Sequence, residues 1–386
     1  MAKELELEIE KVIWRGRALA HLKNGKAVIV VGGAFPKEVV KALPIREKKD
    51  YIEAYVQKII KKHPTRREHP CPNSDLCGGC RWGGVWEWFQ WILKKYLLIK
   101  ELKRQIKDFS FPEHKINIYP SPKNWRYRLR AQIHVKDGTP YFMKLNSNEL
   151  VKLDDCLLLD KELADSLFDL SKDLPDGRFV VAFDPINKRA FHEREKVLIK
   201  LPLENLNSYI LVYPSSFFQA NWDLNKYLVK YVCSLLKGIE RVADLYAGAG
   251  NFSVPLAKTQ KCSVLAVEVD PLCVQSLKIC SQELNISNLK VIQKEIGKDS
   301  LFSILKDFSP HAAVIDPPRS GAGKNIIEIN NISSLKKMVW ISCDVVNTIR
   351  DIKPFLKMGW EIKSIDIFDM FPQTWHMETV FTLERQ

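Results

Sequence analysis

One short stretch limits what this chain can fold into: Val339-Trp340-Ile341-Ser342-Cys343-Asp344, an apolar run that stops on a thiol. An apolar strand delivering a cysteine at its carboxyl end, just before a helix-like segment, is where an open α/β sheet presents chemistry. A buried structural cysteine is the competing reading, since cysteines without a bridge are among the most buried residues. From residue 213 onward the pattern alternates. Strands are expected at Val242–Tyr246, Ser263–Glu268, Lys290–Gln293, Ala312–Asp316 and Met338–Ser342, with helices between them that include Trp222–Leu236, Pro271–Leu284 and Val345–Lys357. Glu361–Asp369 and Glu378–Glu384 close the chain as two more strands, so a mostly parallel sheet with a closing β-pair is predicted.

Three further signals fall at strand ends of that region. Asp244-Leu245-Tyr246-Ala247-Gly248-Ala249-Gly250-Asn251 reads as strand, Gly-rich turn, helix. Glu268 ends the next strand, 24 residues after Asp244, where an acid can hold the ribose hydroxyls of a nucleoside. Ser253 occupies the place of the third glycine of a dinucleotide fingerprint, so an adenosyl ligand without pyrophosphate fits better, which points to S-adenosylmethionine. Asp316-Pro317-Pro318-Arg319 follows an apolar strand, and its prolines stiffen the exit that carries the carboxylate. A thiol beside a methyl donor has a chemical use: added at carbon 6 of uracil, it makes carbon 5 nucleophilic, and a base must then take the carbon-5 proton. Trp375-His376-Met377-Glu378 offers a histidine and a carboxylate for that.

The first part of the chain has a different grain. Leu5, Leu7 and Ile9 alternate with glutamates, Asn24-Gly25 marks a hairpin, and Tyr51–Ile60 alternates again, so a small β-barrel is expected, followed by a basic linker at residues 61–67. Cys71, Cys77 and Cys80 then fall within ten residues as C-x5-C-x2-C, with Cys156 far downstream. Three close thiols and a distant fourth suit an iron–sulfur cluster, with zinc as the alternative. Residues 84–108 are expected to be helical, burying Phe89, Ile92, Leu93, Tyr96 and Leu97, its tryptophans packed rather than stacking bases. Trp125–Val135 is expected to be a strand presenting Arg126, Arg128 and Arg130 as a phosphate grip on one face. Asp137-Gly138 is a second hairpin signal, and Asn221 a helix N-cap. With 59 basic and 46 acidic residues, the net charge of +13 suits a polyanionic partner such as RNA. No apolar run reaches membrane-spanning length, there is no signal-peptide pattern, and the nine cysteines read as reduced, so a cytoplasmic protein is expected, with no membrane association and no obligate protein partner evident.

Taken together these residues resemble the RNA uracil-5-methyltransferases that carry a 4Fe-4S cluster and a TRAM domain, most of all the 23S ribosomal RNA 5-methyluridine enzymes. The resemblance covers nearly the whole chain. It implies a Rossmann-like α/β methyltransferase domain at 213–386, a TRAM-like, OB-like RNA-binding barrel at 1–62, and a mixed α+β central domain with the cluster at 63–212. It implies Cys71, Cys77, Cys80 and Cys156 as cluster ligands, Cys343 as nucleophile and Glu378 as base. It implies cofactor contacts from Gln219, in Phe217-Phe218-Gln219-Ala220-Asn221, and from Tyr246, Gly248, Asn251, Glu268 and Asp316. The expected partner is RNA, 23S ribosomal RNA before transfer RNA.

One departure matters. The family reads Ser-Cys-Asn-Pro at the nucleophile, whereas this chain has Ser342-Cys343-Asp344-Val345. A negative charge beside the thiol is expected to disfavour the thiolate unless a cation compensates. A catalytically weakened RNA-binding or ribosome-assembly factor is therefore a second reading, and a small-molecule or protein methyltransferase a third.

Overall fold

A computed structural model describes residues 3–145, 147–296 and 300–386. The chain divides into two compact units. The first comprises residues 1–100, 142–151 and 371–376, and the second residues 101–141, 152–370 and 377–386.

The first unit holds a six-stranded sheet built from residues 5–61. Period-two alternation buries Leu7, Ala18, Ala20, Val28, Val30, Val40, Ala42 and Ala54 into one core, as the sequence predicts for a half-buried sheet. Asn24 and Gly25 do turn the chain between Arg17–His21 and Ala27–Val31, Gly25 with φ +84°. The expected basic linker is instead packed structure. Arg66 forks onto the fully buried Glu38 at 2.7 and 2.8 Å, and the same carboxylate accepts the amides of Phe35 and His63. A buried carboxylate must be paired in this way, and removing Arg66 would strand its charge.

The helix Glu87–Gln105 begins in this unit, and its buried stripe is phased differently from the expectation. Leu93, Leu97, Leu98 and Gln90 are buried, while Trp86, Trp88, Ile92 and Tyr96 stand 38–55% exposed. The cause is polar: Gln90 turns inward to bond Trp82 O, Val85 O and Gln373 Oε1, and Lys94 reaches Phe371 O. These bonds rotate the apolar residues Ile92 and Tyr96 outward.

The second unit is organised by an eight-stranded sheet. Its strands in chain order are β1 (Asn117–Tyr119), β2 (Arg241–Leu245), β3 (Ser263–Glu268), β4 (Leu289–Gln293), β5 (Ala312–Ile315), β6 (Lys337–Ser342), β7 (Glu361–Phe368) and β8 (Glu378–Glu384). They lie in the order β4-β3-β2-β5-β6-β8-β7-β1. β2 to β6 are parallel and β8 runs antiparallel between β6 and β7. Here α1 is Trp222–Leu235, α2 Ser253–Gln260, α3 Pro271–Glu283 and α4 Val345–Lys357. β5 and most of β6 are buried on both faces, as continuous Val/Ile/Ala runs require. Trp340 packs edge-on to Phe355 of α4 with centroids 6.1 Å apart, both side chains fully buried, each worth roughly 1.5–3 kcal/mol of apolar transfer.

The arginine-rich stretch departs from its expectation. The strand runs Arg130–Lys136, not from Trp125, because Arg126 takes a left-handed φ of +56°. Arg126 forks onto Asp155 and donates to Cys156 O at 3.0 Å, whereas Arg130 is desolvated and lies 5.7 Å from the Phe217 ring. Arg126 is therefore taken up by an ion pair, while the Arg130 guanidinium is buried and feels the charge of Arg128. Asp137-Gly138 does turn the next hairpin, with both residues at positive φ.

Candidate active site

Register brings the chemistry together. β6 and β8 pair antiparallel as far as Ser342 opposite Thr379, and Cys343 and Glu378 each lie one residue beyond that last pair, at the same end of the two strands. Thr379 Oγ1 donates to Ser342 O at 3.0 Å, which fixes this end of the ladder. β5 runs parallel to β6, so Asp316 leaves the sheet at the same edge, its amide bonded to Leu245 O at 3.3 Å. Convergence at the carboxyl edge of a parallel sheet is where ligand sites of this architecture form.

The electrostatics of that corner are specific. Cys343 is half-buried and its thiol is pushed up to about 12, first by burial and then by the negative charges of Glu378 and Asp316. Arg319, from the Asp-Pro-Pro-Arg exit, acts in the opposite direction. Glu378 is 2% exposed, and burial, followed by the Asp316 charge, raises its carboxyl well above the usual range, with Arg319 opposing. Asp316 is raised to about 8 by burial and by Asp244. Glu378 and the thiol thus share the influence of one guanidinium, while the Asp316 charge opposes the ionisation of both. The motif's spacing gave Arg319 no role, because its charge effect on the thiol depends on a loop path that spacing does not reveal.

Asp344 does not play the part expected of it. It caps α4, accepting from Asn347 N at 3.1 Å, and its charge is not among the causes of the Cys343 shift. An Asp at an N-cap is favoured by the exposed amides and the helix dipole. The cation that favours the thiolate is Arg319, and it acts against Glu378 and Asp316.

The Gly-rich turn lies at the end of β2. Gly248 has φ +54°, and a Cβ placed there would meet nothing within 4 Å, leaving open space beside its backbone. Glu268 Oε2 accepts Gly248 N at 2.7 Å, and Oε1 accepts the amides of Val269 and Asp270 at 2.7 and 2.8 Å. Of the carboxylate's roughly four acceptor positions, about one remains, on Oε2. Gly248 and Glu268 therefore fit an adenosyl ligand: an open backbone cradle with a fixed anionic acceptor beside it. Tyr246, at φ +66°, donates its hydroxyl to Ala322 O at 2.7 Å, tying the turn to the loop after Arg319. Asn251 exchanges two bonds with Asn225 of α1, at 2.7 and 3.1 Å. Gln219 is buried in the segment leading to α1, where Asn221 caps the helix as expected and also donates to Ser121 Oγ and Met370 O.

Comparison with known proteins decides the family. The family model of the tRNA (Uracil-5-)-methyltransferases matches residues 141–386. An RNA methyltransferase of Aquifex aeolicus is 30% identical, over 99% of both chains. The chain belongs to the tRNA (uracil-5-)-methyltransferase family. It is an S-adenosylmethionine-dependent RNA uracil-C5 methyltransferase. Also similar is the 23S rRNA (uracil(1939)-C(5))-methyltransferase RlmD of Shewanella woodyi, 27% identical over 100% of this chain and 96% of its own. In fold, the chain matches the Pyrococcus abyssi tRNA (uracil-54, C5)-methyltransferase in complex with S-adenosyl-L-homocysteine, with a TM-score of 0.75 at 20% identity, covering 98% and 99% of the two chains.

The thiols expected to hold a cluster are less clearly gathered. Cys71, Cys77 and Cys80 occupy an irregular segment of the first unit. Burial raises the Cys77 thiol, and Cys71 adds to the rise. His69 spans the segment, accepting Cys71 N at 3.1 Å and meeting Cys80 O at 3.0 Å. Arg81 ties it to the six-stranded sheet, donating to Ser74 O at 2.5 Å and Gly32 O at 2.6 Å. Among the described residues, no group of three or more His, Cys, Asp or Glu side chains is close enough to hold a metal ion. Nor is any helix among them long and apolar enough to cross a membrane.

Proposed function

We propose that the chain methylates carbon 5 of a uridine in 23S ribosomal RNA through a transient bond between Cys343 and carbon 6. The placement of Cys343 and Glu378 at the same end of two neighbouring strands, with the Glu378 charge acting on the thiol, carries this reading. The Cys343 thiolate, favoured by Arg319, adds to carbon 6 and makes carbon 5 nucleophilic. S-adenosylmethionine supplies the methyl group as an electrophilic sulfonium. Glu378, as carboxylate, then takes the carbon-5 proton; the electron pair of that C–H bond closes the ring double bond and expels the thiolate. Gln219, Tyr246, Gly248, Asn251, Glu268 and Asp316 are assigned to the cofactor and base pocket. The uridine must leave its stack to reach a sheet edge.

Ribosomal RNA is favoured by the full-length match to relatives named for 23S rRNA. Transfer RNA is the alternative, which the family description and the Pyrococcus fold leave open. The weakened-factor reading loses its main support, since Asp344 caps a helix. Residues 1–62 are assigned as a TRAM-like RNA-binding barrel, 63–212 as the central domain and 213–386 as the catalytic domain. Cys71, Cys77, Cys80 and Cys156 are assigned to a 4Fe-4S cluster of structural role, supported by the spacing and by the His69 and Arg81 bonds that order the loop. No catalytic step passes through it. The test is methyl transfer to total RNA from a strain deleted for this gene, with the modified base mapped: 5-methyluridine in 23S rRNA is expected. Methyl groups in transfer RNA alone would overturn the ribosomal assignment.

A further inference from the structure

We propose that Asn347, Arg350 and Asp351 act as a positioning clamp that holds Arg319 against Cys343. These residues lie on one face of α4, at three- and four-residue spacing, on the helix that starts immediately after the nucleophile. Their partners are backbone groups of the loop that carries Arg319. Asn347 Nδ2 donates to Arg319 O at 2.7 Å, and Arg350 Nη2 donates to Ser320 O at 2.8 Å. Asp351 Oδ2 accepts Ala322 N at 2.7 Å. The three side chains also bind one another, Arg350 donating to Asn347 Oδ1 at 2.9 Å and to Asp351 Oδ1 at 2.8 Å. Gly321 completes the fit. At φ +91°, a Cβ there would lie 2.2 Å from Arg350 Nη2 and 2.4 Å from Asp351 Oδ2. The far end of the loop is tied by the Tyr246 hydroxyl on Ala322 O.

The clamp has something to do because Arg319 is exposed. A long side chain at the surface spreads over many rotamers, and its average position is set by its backbone. The charged groups acting on the Cys343 thiol are Glu378 and Asp316, which oppose ionisation, and Arg319, which favours it. Displacing Arg319 therefore leaves the two acids unopposed. The clamp touches no reacting atom; its effect passes through Arg319.

The inference rests on Cys343 as nucleophile, and the test separates the two. The rate of Cys343 carboxymethylation by iodoacetate, read by peptide mass in the full-length protein without RNA, is followed against pH. Asp351→Asn keeps an acceptor for Ala322 N but breaks the ion pair with Arg350. On the rising limb, Asp351→Asn and Arg319→Met are each expected to slow alkylation about tenfold, a rise of about one unit in the thiol's titration. The double variant is expected to be no slower than Arg319→Met. The sign is diagnostic, because removing a carboxylate without moving Arg319 would speed alkylation. An unchanged or faster rate in Asp351→Asn, or a double variant slowed by the product of the two effects, overturns the clamp while leaving the nucleophile assignment standing. A merely structural role would lower the melting temperature and leave the titration in place. Should Asp351→Asn fail to fold, Asn347→Ala removes the bond to Arg319 O and is read the same way.

Discussion

The thiol at 343 and the thiols at 71, 77 and 80 were both prominent in the sequence, yet the structure treats them differently. Cys343 follows directly on a strand paired on both sides, and the Ser342–Thr379 pair leaves it at the same end of the ladder as Glu378. Cys71 and Cys80 lie in irregular backbone and Cys77 makes an isolated bridge with Lys144, so bonds from His69 and Arg81 order the segment. A thiol just past the end of a ladder takes its neighbours from the strands beside it. A thiol in an irregular segment depends on side-chain anchors that spacing alone does not describe.

Several outcomes would sharpen or break that contrast. Cys343→Ala is expected to lower methyl transfer at least about 10³-fold with folding intact, whereas Cys77→Ser should remove iron and leave Cys343 alkylation unchanged. If Cys77→Ser abolished Cys343 reactivity in folded protein, the two regions would not be chemically independent. Anaerobically purified protein should carry iron and absorb broadly near ~400 nm; zinc-loaded, colourless protein would reverse the cluster assignment. Glu378→Gln is expected to slow turnover about 10²–10⁴-fold and to leave RNA covalently attached, seen as a slow-migrating protein–RNA band. Normal turnover would remove Glu378 as base.

Smaller effects concern the acids. Asp316 and Asp244 have carboxyls raised to about 8 and about 7 by burial. A raised carboxyl favours the protonated fold, so the stability it contributes is full below about pH 4 and is lost as pH rises through 7 to 8. Asp316→Asn is expected to flatten the fall in melting temperature between pH 5 and pH 8. An unchanged slope would deny that Asp316 is desolvated. Smallest of all, Asp344→Asn should leave both the melting temperature and the Cys343 titration near wild type, because Asn caps a helix as well as Asp. A faster-reacting thiol would restore the charge penalty first expected of Asp344.

The sheet was legible because its strands are long apolar runs with glycines, prolines and caps at their ends; Ser263–Glu268, Val345–Lys357 and Glu378–Glu384 fall where the pattern places them. The site was legible wherever a residue stood at a strand end. It was not legible for Arg319, whose path is set by Asn347, Arg350 and Asp351 through backbone bonds. The phase of the helix Glu87–Gln105 was misjudged for a related reason. Gln90 and Lys94 are polar residues with inward partners, and hydrophobicity gives no sign of them.

The account turns on a sulfur–carbon bond, and 5-fluorouridine can capture it, since fluorine at carbon 5 cannot leave as a proton. Full-length protein, S-adenosylmethionine and fluorouridine-substituted 23S rRNA would be combined, digested and read by mass spectrometry. The account predicts a peptide in which Cys343 is joined to a methylated fluorouracil nucleotide. A bond at any other cysteine, or no adduct while unsubstituted RNA is methylated normally, would contradict it.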